Sequence, residues 1–212
     1  MENEIDQIVY VVDDDADVRD SLTWLLESIG LNVVACESAL AFIETCPPEQ
    51  SGCVIMDVRM PGLSGLSAQQ RLPEHQICIP LIMMSAHGDI DMAVTAMTQG
   101  AQTFLEKPFN DQLLLDQVQT ALDTDRQRCA GRQQQQQIQH RYNGLTRREK
   151  QVFDRIINGL ANQEVADDLA VSRKTVEGHR ANVMKKMAAS SLADLIQMAV
   201  LIGQVNLVRS DD

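Results

Sequence analysis

The sequence predicts a doubly wound α/β domain of five parallel strands, followed by a smaller all-α domain. Three observations carry that prediction: short apolar runs alternate with helix-like stretches over residues 1–125, helical spacing alone persists from residue 142 onward, and net charge changes sign in between. Strands buried on both faces read as continuous apolar runs, and their alternation with helices argues a parallel sheet. At 212 residues the chain can bury two modest cores.

The five strands are read from IVYVV at 8–12, NVVAC at 32–36, CVIMD at 53–57, PLIMMS at 80–85 and QTFLE at 102–106. Helical spacing, as in Leu22, Leu25, Leu26 and Ile29, marks segments near 16–29, 38–45, 64–72, 88–99 and 111–125. After Asp125 the apolar pattern thins into DRQRCAGRQQQQQIQHRYNG. Glutamine is a fair helix former, so residues 126–141 are expected to be a helical linker, although Gly131 weakens a helix and a glutamine run also suits a disordered one. Four short helices follow at 147–158, 163–170, 173–187 and 191–202. Thr146 with Glu149 three residues later fits a capping box for the first, and Asn162 and Ser172 are expected to cap the second and third. The domains are therefore 1–125, linker 126–141, and 142–212.

Residues 1–125 hold 4 Lys and Arg against 21 Asp and Glu, a balance of −17, whereas residues 126–212 hold 14 against 9, a balance of +5. Such asymmetry points to nucleic acid or membrane contact by the basic part. No apolar run approaches the ~20 residues of a membrane span, and the opening MENEIDQIVY is acidic where a signal peptide would be basic. The expectation is a soluble, cytoplasmic protein with no membrane partner. Cys36, Cys46, Cys53, Cys78 and Cys129 are odd in number and lack CxxC spacing, so they read as reduced structural thiols. His75, His87, His140 and His179 form no metal-ligand spacing.

The stretch VVDDDADVRD, residues 11–20, ends the first strand in three aspartates. One carboxylate is explained as a helix cap, which gains up to ~1 kcal/mol from the macrodipole. Three are not, because two carboxylates ~4 Å apart repel by roughly 4 kcal/mol at an effective dielectric near 20. A positive group belongs among them. Asp13 and Asp14 end the first strand, Asp57 the third, Ser85 the fourth and Lys107 the fifth. Ligands gather at the carboxyl ends of such strands. Three carboxylates at one edge suit Mg2+, which prefers hard oxygen ligands and keeps several waters. A hydroxyl and an ammonium beside them are what a phosphoryl group on Asp57 would need for its oxygens.

VVDDD, IMDVRMPG, MSAHGD and EKPF, at this spacing, resemble the receiver domain of two-component response regulators over residues 6–125. The resemblance implies a flavodoxin-like fold with Asp57 as phosphoacceptor. It implies Asp13 and Asp14 as Mg2+ ligands, directly or through water, and the backbone carbonyl of Arg59 as a further ligand. Ser85 would hydrogen-bond the incoming phosphoryl group, Lys107 would pair with it, and the Lys107–Pro108 peptide would be cis. Phe104 would turn inward as Ser85 moves, coupling Asp57 to the surface of the fourth helix and fifth strand. Arg59 and His87 resemble positions that tune dephosphorylation. Taken singly, Ser85 reads as a strand-end hydroxyl, Lys107 as a surface lysine and Phe104 as a core aromatic.

Farther on, GLANQEVADDLAVSRKTVEGHRANVMKKM, residues 159–187, buries Val165, Ala166, Leu169, Val171, Val176 and Val183 along one face, and small Ala166 lets two helices cross closely. This is a helix-turn-helix pattern. With LTRREKQVF before it and SLADLI after it, residues 142–205 resemble the LuxR-type DNA-binding domain, and the two halves together resemble the NarL/FixJ class of transcriptional regulators. The second helix would then enter the major groove. Glu177, Gly178, Ala181 and Asn182 face outward from the Val176 and Val183 stripe, where Glu177 would accept from cytosine N4 and Asn182 would pair with adenine unless both are simply solvated, while Lys174, Thr175, Arg180 and Lys185 are candidate phosphate contacts. His179 lies near the edge of the stripe and reads as structural. The resemblance implies that the last helix, with Leu192, Leu195, Ile196 and Ala199, would be the dimerisation helix, although core packing within the module would give the same pattern.

The combined reading is a phosphorylation-switched transcription factor, not an enzyme acting on an external substrate. Its partners would be a sensor histidine kinase, double-stranded promoter DNA, a second copy of itself on phosphorylation, and RNA polymerase. One rival is a Mg2+-dependent phosphohydrolase of the haloacid dehalogenase type with Asp57 as nucleophile. That chemistry wants an acid two residues on, where Arg59 stands, and a cap insertion that the chain lacks. A second rival is a regulator that binds DNA without phosphorylation.

Overall fold

A computed structural model describes residues 7–86 and 90–205. The chain divides into two compact units, Met1–Cys129 and Ala130–Asp212.

In the first unit, β1 (Ile8–Val12), β2 (Asn32–Cys36), β3 (Gly52–Asp57), β4 (Leu81–Ser85) and β5 (Thr103–Glu106) form one parallel sheet in the order β2-β1-β3-β4-β5. Each expected strand is present. Between and after them run α1 (Ala16–Ser28), α2 (Ala39–Thr45), α3 (Gly65–Arg71), α4 (Ile90–Thr98) and α5 (Asp111–Asn143). A short 3-10 turn, Leu72–His75, follows α3 and was not expected.

The pleat splits the core in two, because successive strand residues point to opposite faces. Tyr10, Val12, Val54, Met56 and Met83 pack with Phe42, Ala68 and Ala96 of α2, α3 and α4. Val9, Val11, Cys53, Ile55, Ile82 and Met84 pack with Leu22 and Leu26 of α1 and Leu114 and Val118 of α5. Both faces are covered, which is why these strands read as unbroken apolar runs. Where β3 starts, Gly52 has φ +141°, and a Cβ there would come within 1.8 Å of the Ile8 carbonyl oxygen, so only glycine fits. Asp125 on α5 is fully buried and accepts from the Ser51 hydroxyl (2.6 Å) and the Gly52 N–H (2.9 Å), tying that helix to the start of β3.

α5 continues as helix through the glutamine run to Asn143, and its residues from Ala130 belong to the second unit. Gly131 does not interrupt it. The second unit also contains α6 (Arg147–Ile157), α7 (Asn162–Leu169), α8 (Arg173–Met187) and α9 (Leu192–Leu201). Ile138, Val152, Phe153, Ile156, Val165, Ala166, Val176, Val183, Met187, Leu195 and Ala199 form its core. Leu192 and Ile196 pack against that core, so the apolar face of α9 has an intramolecular use.

Capping follows the expectation at two helices and departs from it at one. Thr146 and Glu149 make both bonds of the capping box, and the Ser172 hydroxyl accepts from the Thr175 N–H. The α7 cap is Ala161 rather than Asn162. An alanine has no side-chain acceptor, so only the return half forms, with the Glu164 carboxylate accepting from the Ala161 N–H at 2.6 Å. Asn162 is thereby freed for another partner. Among the described residues no helix is long and apolar enough to cross a membrane.

Candidate functional site

Strand register assembles the site. Val12 lies beside Met56, Asp57 beside Met84 and Ser85 beside Glu106, so Asp13, Asp57, Ser85 and Lys107 all emerge at the carboxyl edge of neighbouring strands. The Lys107 ammonium donates to Asp13 Oδ2 at 2.6 Å and to Asp57 Oδ1 at 2.7 Å. This is the positive group that the aspartates require. Both carboxylates are buried, Asp13 at 1% and Asp57 at 6% exposure. Burial alone would lower the Lys107 pKa, but hydrogen bonds to Asp13 and Asp57 and the charge of both hold it above the ordinary lysine value.

Backbone groups fix the two carboxylates further. The Arg59 N–H donates to Asp57 Oδ2 at 2.6 Å, and the Asp15 N–H donates to Asp13 Oδ1 at 2.9 Å. Lys107 is directed by its own N–H, which donates to the Ser85 carbonyl at 2.8 Å, and the Lys107–Pro108 peptide is cis. Asp57 is thus a buried carboxylate with both oxygens already engaged by donors.

The expected trio of carboxylates is not what forms. Asp14 is exposed, and among the described residues no three acidic, His or Cys side chains come together as a metal-holding group. Both lie just past the end of β1, where the chain bends: Asp13 stays buried and Asp14 is exposed. Asp15 takes the ordinary role, accepting from the Asp17 and Val18 N–H groups as the α1 cap. Ser85 is fully buried at the end of β4. Phe104 is half-buried beside Met83, packed on the α2, α3 and α4 side of the sheet. His87 lies outside the described residues.

Two contributors escaped the sequence reading. Arg19 donates to the Asp13 carbonyl at 2.6 Å, and its position in VVDDDADVRD, six residues on and one helical turn into α1, was the available signal. Gly65 starts α3 so close to Asp57 that a Cβ would lie 2.3 Å from its carbonyl oxygen. Nothing in GLSG alone marks it.

The second unit carries a cationic helix. On α8, Lys174, Thr175, Glu177, Gly178, Ala181, Asn182 and Lys185 are exposed, while Val176, Val183 and Met187 are buried. Thr175 also exchanges a hydroxyl bond with Ser172 at 2.8 Å. Arg180 is half-buried and donates to Asn162 Oδ1 at 3.0 Å, and His179 is half-buried. Arg173, missed earlier, pairs with Glu177 at 3.0 Å.

None of the five cysteines is in a disulfide; Cys36, Cys46, Cys53 and Cys129 are buried and Cys78 is exposed. Burial first, then the nearby Cys46, pushes the Cys36 thiol up to about 11, and burial with Asp125 pushes Cys53 up to about 12. Both stay protonated and unreactive near neutrality.

A parallel sheet with this carboxylate and lysine edge, joined to a helix-turn-helix unit, defines a receiver coupled to a DNA-binding module. Residues 9–119 match the response regulator receiver domain, and residues 143–199 match the bacterial regulatory proteins of the luxR family. The chain belongs to the NarL/FixJ class of two-component response regulators, which are transcriptional regulators. It is 45% identical over 195 residues to the transcriptional regulatory protein FixJ of Azorhizobium caulinodans, covering 92% of each chain. It is 41% identical to the FixJ of Bradyrhizobium diazoefficiens, covering 93% of this chain and 97% of the relative. Among solved structures, the response regulator StyR superposes with a TM-score of 0.82 at 42% identity, covering 92% of this chain and 98% of that one.

Proposed function

We propose that a sensor histidine kinase phosphorylates Asp57 in a Mg2+-dependent step, and that the modified chain dimerises and sets α8 of each copy into promoter DNA. Residues 1–125 act as the receiver, 126–141 as linker and 142–212 as the DNA-binding domain of a cytoplasmic transcriptional regulator. The observation that carries the reading is the Lys107 ammonium held between two buried carboxylates, at 2.6 and 2.7 Å. One cation against two anions leaves an excess negative charge where a divalent ion and a phosphoryl group would sit.

The donor set fits the metal. Asp13, Asp57 and the Arg59 carbonyl offer hard oxygens that would hold Mg2+, with Asp14 reaching it through water, and the ion when bound neutralises the oxygens of the transferred group. The remaining work falls to the chain. A carboxylate oxygen of Asp57 forms a bond to phosphorus as the donor's phosphorus–nitrogen bond breaks, and the electron pair leaves with the imidazole. The Arg59 N–H keeps the Asp57 carboxylate oriented. Lys107 moves its hydrogen bond from Asp57 to a phosphoryl oxygen, and Ser85 donates to another. Movement of Ser85 opens space that Phe104 follows, which carries the change to α4 and β5.

On DNA, Lys174, Thr175, Arg180 and Lys185 contact phosphates while Glu177, Gly178, Ala181 and Asn182 face base edges. Pairing two copies lets modest half-site energies act together through effective concentration. The test measures intact mass, oligomeric mass and duplex binding of the full chain, with and without acetyl phosphate and Mg2+. Wild type should gain one phosphoryl group, dimerise and bind DNA more tightly. Asp57→Asn should do none of these. Equal DNA binding in every condition would remove the switch.

A further inference from the structure

We infer that Arg173 and Glu177 together form a base-reading couple on α8, with a C·G pair in the major groove as its target. The inference rests on the DNA-binding reading above and names what this helix selects.

The ion pair is hard to explain as a stabiliser. Arg173 and Glu177 are 3.0 Å apart, with side chains 65% and 49% exposed. Exposed pairs of this kind contribute little to stability. Their order is also the poorer one, since the acid is better placed N-terminal to the base at this spacing. Arg173 is moreover the first residue of α8, where the helix macrodipole disfavours a cation. Helix stability therefore does not account for this pair on the outward surface of α8.

Facing DNA, the same pair is well matched. A lone carboxylate on a helix approaching phosphates would be repelled, and the guanidinium beside it cancels that charge. Glu177 offers only acceptors and Arg173 only donors. In the major groove a C·G pair presents the cytosine N4 amine as a donor next to the guanine O6 and N7 acceptors. Glu177 accepts from the amine while Arg173 donates to guanine. A T·A pair fits less well, because thymine adds a methyl group and only one acceptor.

The experiment treats the full chain with acetyl phosphate and Mg2+ and selects binding sites from a randomised duplex pool at fixed salt. Binding of wild type, Glu177→Gln and Arg173→Gln is then measured on the selected site and on versions with each base-pair replacement. Circular dichroism confirms that each variant keeps its helices, and Arg173→Lys, which retains charge without the fork, serves as a second arginine variant. Selected half-sites should contain one C·G pair whose replacement weakens wild-type binding roughly 5- to 100-fold. Glu177→Gln should move the preference there to A·T, since glutamine pairs with adenine. Both arginine variants should cut discrimination at that position about tenfold. Variants that lower binding equally on all sequences, or leave the preference unchanged, would overturn the couple alone. Failure of wild type to bind any duplex would overturn the DNA-binding reading beneath it as well.

Discussion

Lys107 in the first unit and Lys186 in the second each donate to a buried carboxylate at 2.7 Å, to Asp57 and to Glu149 respectively. Their surroundings differ in the charge left over. Glu149 faces one ammonium, and the same carboxylate oxygen accepts from the Thr146 N–H at 2.7 Å, at a helix start where negative charge is favoured. That set is balanced. Lys107 instead serves two buried carboxylates at once, so its set carries a net negative charge. The same contact therefore leaves no charge over in the scaffold of the second unit and leaves an uncancelled negative charge at the strand edge of the first.

The largest effect should come from removing the cation that the unbalanced set already has. Lys107→Met leaves two buried carboxylates facing each other, and breaking a buried pair costs about 3–5 kcal/mol. Urea unfolding of the full chain should show the loss in the receiver, and added Mg2+ should restore more stability to the variant than to wild type. A variant as stable as wild type and indifferent to Mg2+ would break the contrast.

Next comes the balanced set. Glu149→Ala removes half of the capping box and strands the Lys186 ammonium, which is 41% exposed and so partly rescued by water. The expected cost is about 2 kcal/mol, read from the thermal transition of the helical unit. Acid should mimic that substitution. The hydrogen bond from Lys186, acting against burial and aided by Thr146, holds the Glu149 carboxyl below the ordinary glutamate value. A carboxyl depressed on folding contributes stability that is present above its unfolded value of about 4.3 and lost as pH falls through the folded one. Helical signal of the second unit should thus fall more steeply below about pH 4 in wild type than in Glu149→Gln.

Legibility from sequence followed the same division. Strand ends, the Thr146 and Glu149 box and the α8 stripe were readable because periodicity and local spacing express them directly. Asp57, Lys107 and Ser85 could be grouped because parallel strands share a carboxyl edge. What stayed hidden depended on burial at a strand end or on long-range closeness: Asp14 exposed beside buried Asp13, Gly65 pressed against Asp57, and Asp125 buried and bonded to Ser51 and Gly52. Asn162 was misread as a cap because its residue type suits one, whereas Ala161 holds the extended backbone.

That misreading supplies the smallest and most discriminating test. Asn162 accepts from Arg180 at 3.0 Å, so it restrains one cation of α8 without entering the core. Asn162→Ala should change stability by less than about 0.5 kcal/mol, as surface substitutions usually do. Asn162→Asp should raise stability by a few tenths, up to about 1 kcal/mol, because it puts a negative charge in the first turn of α7 and tightens the hold on Arg180. Under the proposed DNA contact its sign should reverse, since Arg180 would be less available to phosphate and a new anion would approach the backbone. Melting temperature and binding to random-sequence duplex across a salt series separate the two effects. Asn162→Asp should melt higher yet bind more weakly with a shallower salt slope, by a similar factor on every sequence. Moving both quantities in the same direction would show that Asn162 acts on the fold of the helical unit and not on the cation it touches.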